Sequence, residues 1–199
     1  MQAIIKAVFF SCMIIGGNSF ADSPAMPTPK VTVSNSGEYY FKMIPNNYSY
    51  ENSKYIEDTK AFGKAYRLND NGESEELWSV SDWYAFNVFI SDDGKYLVRI
   101  GNWPDGHEPD NDDLGVAFYY LGSEIKKYST QDLIEDKSYV QSTVSHYFWL
   151  DNDKSYPRLD WYSHIFELKT IEGKVIRFNI ATGDVVENPI SPISIKPSN

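Results

Sequence analysis

The sequence predicts an all-β fold of three related antiparallel meander units, and three observations carry that prediction. The segment Ser34-Asn35-Ser36-Gly37-Glu38-Tyr39-Tyr40-Phe41-Lys42-Met43 lines up with Ser91-Asp92-Asp93-Gly94-Lys95-Tyr96-Leu97-Val98-Arg99-Ile100, an offset of 57 residues (91 minus 34). Each copy is a polar turn ending in Gly, followed by a Tyr-bearing strand with a basic residue at the same place, and a recurrence of that length marks a chain made by repeating one β unit. Aromatic residues form 16% of the chain, with 15 Tyr, and they sit with β-branched residues in short runs bounded by Gly, Asn and Asp. Such runs suit a pleated sheet better than a helix. Only one short stretch carries a helix start signal.

The first unit begins with Val31-Thr32-Val33, turns at Gly37, and returns over Tyr39 to Ile44. After a polar loop it resumes at Lys64 to Leu68, turns through Asn69-Asp70-Asn71-Gly72, and ends over Glu75 to Trp78. The second is the clearest: a strand over Ala85 to Ile90, the turn at Gly94, and a return over Lys95 to Ile100. A long acidic loop then leads to a hairpin of Gly115 to Leu121 and Ile125 to Tyr128 across Gly122. The third unit starts at Ser145 to Leu150, continues over His164 to Lys169, turns at Glu172-Gly173, and returns over Lys174 to Ile180. A last turn at Ala181 to Asp184 leads into Val185-Val186. Ser129 to Asp136 is the one helix signal, a Ser or Thr cap ahead of acidic residues that suit the positive helix N-terminus. It is long enough for one or two turns.

A four-strand unit repeated with Asp-Gly turns resembles the blades of β-propellers, a repeat architecture used by exported bacterial proteins. The resemblance implies blades packed around an axis. The Gly-His and Trp-Asp blade signatures are absent, and three units are fewer than the four to eight that usually close a propeller. An open curved sheet, a barrel or a sandwich made of the same meanders fits the pattern equally.

Residues 1–21 have the layout of a secretory signal peptide: Lys6 in the n-region, an apolar run from Ala7 to Ile15, and Ser19-Phe20-Ala21 before the cut. The apolar run is far shorter than the roughly 20 residues a membrane-spanning helix needs. A lipid anchor at Cys12 is the competing reading. Residues 22–30 follow as a tether holding Pro24, Pro27 and Pro29, residues 31–188 form the single β domain, and residues 189–199 form a Pro-punctuated tail. The sequence therefore points to a periplasmic or secreted protein. Cys12 is the only cysteine, so the exported chain would have neither a disulfide nor thiol chemistry. Removal of residues 1–21 takes away one Lys and no acid, leaving 17 basic against 28 acidic residues, a net charge of −11. So acidic a surface repels phosphate backbones and anionic lipid heads, which argues against nucleic-acid and membrane-surface partners.

The candidate ligand-binding residues concentrate in the loop from Gly101 to Asp113. It holds Trp103, His107 and five carboxylates, Asp105, Glu108, Asp110, Asp112 and Asp113. Long loops on a rigid scaffold are frequent functional elements, and grouped carboxylates are what calcium requires. The EF-hand pattern fails here, with Leu114 and Leu121 at ligand positions, so calcium stays an open possibility and no cofactor is expected. Trp103 and Trp161 are the aromatic residues placed as surface anchors, while Trp83 and Trp149 are expected to fill the core. His146 and His164 adjoin strand aromatics and read as structural. No nucleophile elbow, phosphate loop or zinc motif occurs. The expected function is a non-catalytic binding or interaction module for a protein, peptide or glycan; the alternative is a cell-envelope hydrolase using the loop carboxylates.

Overall fold

The computed structural model describes residues 24–160 and 162–187. The signal-peptide expectation at residues 1–21, the tail at 189–199 and Trp161 lie outside the described residues. Strands dominate the rest, and helix is confined to two short turns. In chain order the first sheet uses β1 (Lys30–Val33) and β2 (Tyr39–Ile44). A separate hairpin of β3 (Asn47–Glu51) and β4 (Lys54–Thr59) is inserted before β5 (Phe62–Leu68) and β6 (Ser74–Ser81) complete the sheet. The second sheet is β7 (Val88–Ile90), β8 (Tyr96–Ile100), β9 (Leu114–Tyr120) and β10 (Ser123–Ser129). Helix α1 (Thr130–Leu133), a 3₁₀ turn (Lys137–Tyr139) and a small ladder of β11 (Gln141–Ser142) with β12 (Tyr147–Phe148) follow. The third sheet is β13 (Arg158–Asp160), β14 (Ile165–Lys169) and β15 (Val175–Asn179), with Val185 bridged to Phe178 beyond it. All pairings among these strands are antiparallel.

The second sheet is the middle of the molecule because its alternation puts apolar side chains on both faces. Val88, Ile90, Leu97, Ala117 and Tyr119 point one way, into a core shared with Phe41, Met43, Trp78 and Val80 of the first sheet. Val98, Ile100, Val116 and Phe118 point the other way, into a core shared with Phe166, Leu168, Ile176 and Phe178 of the third sheet. Successive strand residues face opposite sides, so a strand covered on both sides must be apolar throughout. That is why β9 is a near-continuous apolar run rather than an alternating one. Each large apolar side chain buried in these layers contributes about 1.5–3 kcal/mol, whereas an exposed ion pair contributes roughly 0–1. Layer burial decides the fold.

The two outer faces are treated differently. On the third sheet Glu167 sits between Arg158 (2.6 Å) and Arg177 (3.0 Å), in cross-strand register with both, so that face ends in a charged ladder. On the first sheet Tyr40 stacks on Tyr66 with ring centres 5.1 Å apart, and Lys42 lies over the second ring.

The recurrence seen in the sequence is a recurrence of hydrogen bonds. In the first turn Ser34 N donates to Tyr39 O, Gly37 N to Ser34 O, and Tyr39 N to Ser34 Oγ. In the second, Ser91, Gly94 and Tyr96 make the same three bonds. Ser36 Oγ and Asp93 Oδ1 then accept from Glu38 N and Lys95 N at equivalent positions. The two turns are also joined, since Ser36 N donates to Asp92 Oδ1 at 2.8 Å. The connection between β13 and β14 is one residue shorter than those two turns, and His164, directly ahead of β14, has a positive φ of 56.

Three sequence expectations change. The polar loop after Ile44 is a hairpin, made possible by Asn52 and Ser53 in the left-handed region (φ 49 and 64). The strand expected from Ala85 starts only at Val88, because Asn102 takes the backbone ahead of it: its Oδ1 accepts from Phe86 N and its Nδ2 donates to Tyr84 O. The third sheet opens with Arg158–Asp160 rather than with Ser145 to Leu150, of which only Tyr147–Phe148 is strand. There Thr143 captures the backbone of His146, and the strand starts only after it. The helix expected over Ser129 to Asp136 is the single turn α1, capped by Ser129 in a reciprocal box with Asp132.

The repeat supplies an internal comparison. Gly37 and Gly94 hold equivalent positive-φ positions, but a Cβ at Gly37 meets nothing within 4 Å, while one at Gly94 would lie 2.2 Å from the Tyr39 ring. Gly37→Ala should cost about 1–2 kcal/mol, from backbone strain alone. Gly94→Ala should cost about 1–3 kcal/mol more, from overpacking against Tyr39. Urea denaturation measures both, and equal losses would contradict the packing described.

Candidate functional site

The loop from Gly101 to Asp113 is fastened along its length. Gly101 N donates to Gly115 O (2.9 Å), and any Cβ at Gly101 would collide with Leu114 O at 1.6 Å, so only glycine permits this exit from β8. Asp105 bridges to His146, and Gly106 N donates to Ser145 O. At the far end Thr130 N donates to Asp113 O, and Asp110 N donates to Thr130 Oγ1.

The carboxylates of this loop serve that fastening. Asp113 Oδ2 accepts from Tyr147 OH at 2.8 Å, and the Tyr147 oxygen lies 2.6 Å from Thr130 Oγ1. Asp110 Oδ1 accepts from Asp112 N within its own turn. Glu108 pairs with Lys137 at 3.3 Å, beside Pro109 O, which accepts from the same ammonium. Asp105, His107, Glu108, Asp110 and Asp112 are all exposed. Among the described residues no three His, Cys, Asp or Glu side chains gather in a way that could hold a metal ion. The acidic character of the loop is spread along it rather than focused on a point.

Trp103 behaves differently. Its ring lies face to face with His146, with centres 3.6 Å apart and planes 29° apart. His146 is buried and its Nδ1 lies 2.7 Å from Thr143 Oγ1. Phe148 meets the same imidazole edge-on at 4.6 Å. Three aromatic rings from two chain segments thus form one wall of a cleft of about 210 Å³ that also includes Asn87, Leu150, Asp151 and Asn152. A second cleft of about 280 Å³ shares Phe148, Leu150, Asp151 and Asn152 and reaches Gln141. The two form one groove with Phe148, 48% exposed, at its centre. Around it the amides of Asn87, Gln141 and Asn152 are exposed, and none hydrogen-bonds another described residue.

Of the candidate ligand-binding residues that are described, Trp103 alone lines the groove. His107, Glu108 and the other loop acids do not, and His164 packs instead against Tyr96 at 5.8 Å. Trp83 and Trp149 occupy the core side as expected, Trp149 buried and Trp83 against Tyr119 with Arg99 over its ring at 4.3 Å. Sequence reasoning missed His146 and Phe148 as partners of Trp103, because the contact joins segments more than 40 residues apart. Asp151 and Asn152 carry no motif that marks them in the sequence. Their place just beyond Leu150, which ends the aromatic run Tyr147-Phe148-Trp149, was the available signal.

Comparison with known proteins gives no relative: no family model matches the chain, and no curated protein or solved structure is similar to it. Among the described residues no helix is long and apolar enough to cross a membrane.

The Tyr147 hydroxyl ties the aromatic run that lines the groove to the end of the loop. Burial pushes its ionisation well above the ordinary tyrosine range; the hydrogen bond from Thr130 works against this and the Asp113 carboxylate adds to it. Because the folded state holds the proton more tightly than the unfolded chain, this contribution is complete below about pH 10, the ordinary tyrosine value, and is lost as pH rises above it. Tyr147→Phe should cost about 1–3 kcal/mol at neutral pH by leaving Asp113 and Thr130 without their partner. It should also flatten the alkaline fall in stability, read by urea denaturation between about pH 8 and 11. An unchanged alkaline limb in the variant would contradict this assignment.

Proposed function

We propose that this chain is an exported, non-catalytic binding module that holds a glycan in the groove centred on Phe148. The observation that carries the reading is the aromatic wall of Trp103, His146 and Phe148 beside the uncommitted amides of Asn87, Gln141 and Asn152. A sugar ring offers an apolar face of C–H groups and an equatorial rim of hydroxyls. An exposed aromatic ring covers the first without needing a hydrogen bond, and planar amides can donate and accept at once to the second. The stacked imidazole fixes the Trp103 ring before any ligand arrives, which removes an ordering cost from binding. The signal-peptide pattern of residues 1–21 and the net charge of −11 suit an extracytoplasmic setting, where glycans are abundant and polyanions are poor partners.

The hydrolase alternative has less support. Asp105 and Glu108 do not line the groove, and Glu108 is committed to Lys137. A carboxylate acting on a bound sugar has to reach the scissile bond.

Titration with neutral oligosaccharides of two to four units, followed by intrinsic tryptophan fluorescence and calorimetry, tests the reading. Binding is expected for the native protein, and Phe148→Ala should weaken it tenfold or more, equivalent to about 1.4 kcal/mol. Affinity unchanged in Phe148→Ala and Asn152→Ala, or release of shortened sugars, would overturn it.

A further inference from the structure

A second cavity lies away from the groove, where the first strands of the three sheets converge. It is open to solvent on one side, has a volume of about 370 Å³, and is lined by residues of β1, β7 and β13 together with the turns that follow the first two and Pro157 ahead of the third. Each of those strands is the terminal strand of its sheet, so three sheet edges face one space. Ligand pockets are typically about 300–1,000 Å³, which places this chamber at the small end and limits it to a small molecule.

Its lining has a division of charge. Val33, Ile90 and Leu159 supply apolar walls, one from each sheet. Asp92 and Arg158 carry opposite charges in the same lining, yet no ion pair joins them. Asp92 Oδ1 is used, accepting from Ser36 N, but Asp92 Oδ2 is buried with no hydrogen-bond partner. A buried carboxylate oxygen without a donor carries an uncompensated desolvation cost, and since Oδ2 is itself closed to the cavity, the charge of Asp92 can be met only on the side of the residue that lines it. Arg158 is held on Glu167 through Nε and one terminal nitrogen, which leaves the N–H groups of the other terminal nitrogen without a partner. Asn35, the residue equivalent to Asp92 in the first turn, also lines the chamber and is exposed.

We infer that this chamber binds a small zwitterion, specifically a free α-amino acid with an apolar side chain. The ammonium would lie against the cavity-facing side of the uncompensated Asp92 carboxylate, the carboxylate would meet the unengaged nitrogen of Arg158, and the side chain would lie on Val33, Ile90 and Leu159. The ligand would tie the three sheets together at the edges where no strand pairs with another sheet. The inference does not depend on the glycan reading, since the two cavities share no residue.

Calorimetry and thermal melting of the full mature chain with L-leucine test it, with isovalerate as the carboxylate-only probe and isoamylamine as the amine-only probe. L-Leucine should bind and raise the melting temperature, and each single-charge probe should bind at least tenfold more weakly. Asp92→Asn keeps an oxygen able to accept from Ser36 N and matches Asn35 in the first turn; it should weaken L-leucine tenfold or more. Asn35→Trp fills the chamber from an exposed position and serves as a second variant should Asp92→Asn alter folding. It should abolish L-leucine binding while leaving oligosaccharide binding at the Phe148 groove intact. Three results would overturn the inference: no response to L-leucine, L-valine or L-methionine; equal binding of isovalerate and L-leucine; or L-leucine affinity unchanged in both variants.

Discussion

Burial of the middle sheet on both faces is the constraint on which everything else in this structure depends. Val98 and Phe118 face one neighbour, Leu97 and Tyr119 the other, and the same two strands therefore join two cores that are otherwise separate. Without β8 and β9 the first and third sheets would share no apolar contact large enough to order them. Small connections fix the angle and register of this stack. Trp78 Nε1 donates to Gly94 O from the first sheet into the second, Ser36 N donates to Asp92, and Lys126 pairs with Asp184 between the second and the third. These polar links are individually modest. Their value lies in specifying how the apolar layers meet.

The ends of the stack show the same logic in reverse. A face that meets no further sheet has to be acceptable to water, and the Arg158–Glu167–Arg177 ladder makes it so on the third sheet. Terminal units of repeat arrays commonly carry such polar outer faces. The first sheet ends instead in stacked tyrosines beneath Lys42 and in the inserted hairpin, whose Tyr48, Tyr50 and Tyr55 are exposed. The three units thus form an open stack, with their first strands collected along one side.

Much of this architecture was legible in the sequence, because local hydrogen-bond chemistry repeats with the residues that make it. Ser34 and Ser91 cap the same turn through the same oxygen, and Gly37 and Gly94 supply the same positive φ. Where that chemistry changes, legibility fails. Between β13 and β14 the left-handed residue is His164, so no Gly announces that connection, and β13 ahead of it is only three residues long among Pro, Asp and Ser. The β3–β4 hairpin turns on Asn52-Ser53 without glycine and has almost no buried side chain to create a pattern. The candidate site was half legible. Trp103 stood out as an aromatic residue beside Pro104, but its partner His146 is distant in sequence and looks like any buried structural histidine. The acids of the loop drew attention by number, and the structure disperses them into caps and single pairs. The chamber at the strand edges left no sequence trace, since it is made by sheet convergence rather than by a motif.

The claim that the doubly covered middle sheet holds the molecule together is tested most directly by native-state hydrogen exchange, resolved by residue. Amides in such an element open only with the whole fold, while elements with little buried apolar surface open locally at far lower cost. Amides of β8 and β9 should exchange with a free energy equal to that of global unfolding, and those of the β3–β4 hairpin should exchange fastest among the strands. Protection in β3–β4 equal to that in β9, or β9 opening below the global free energy while the first and third sheets stay closed, would contradict the account.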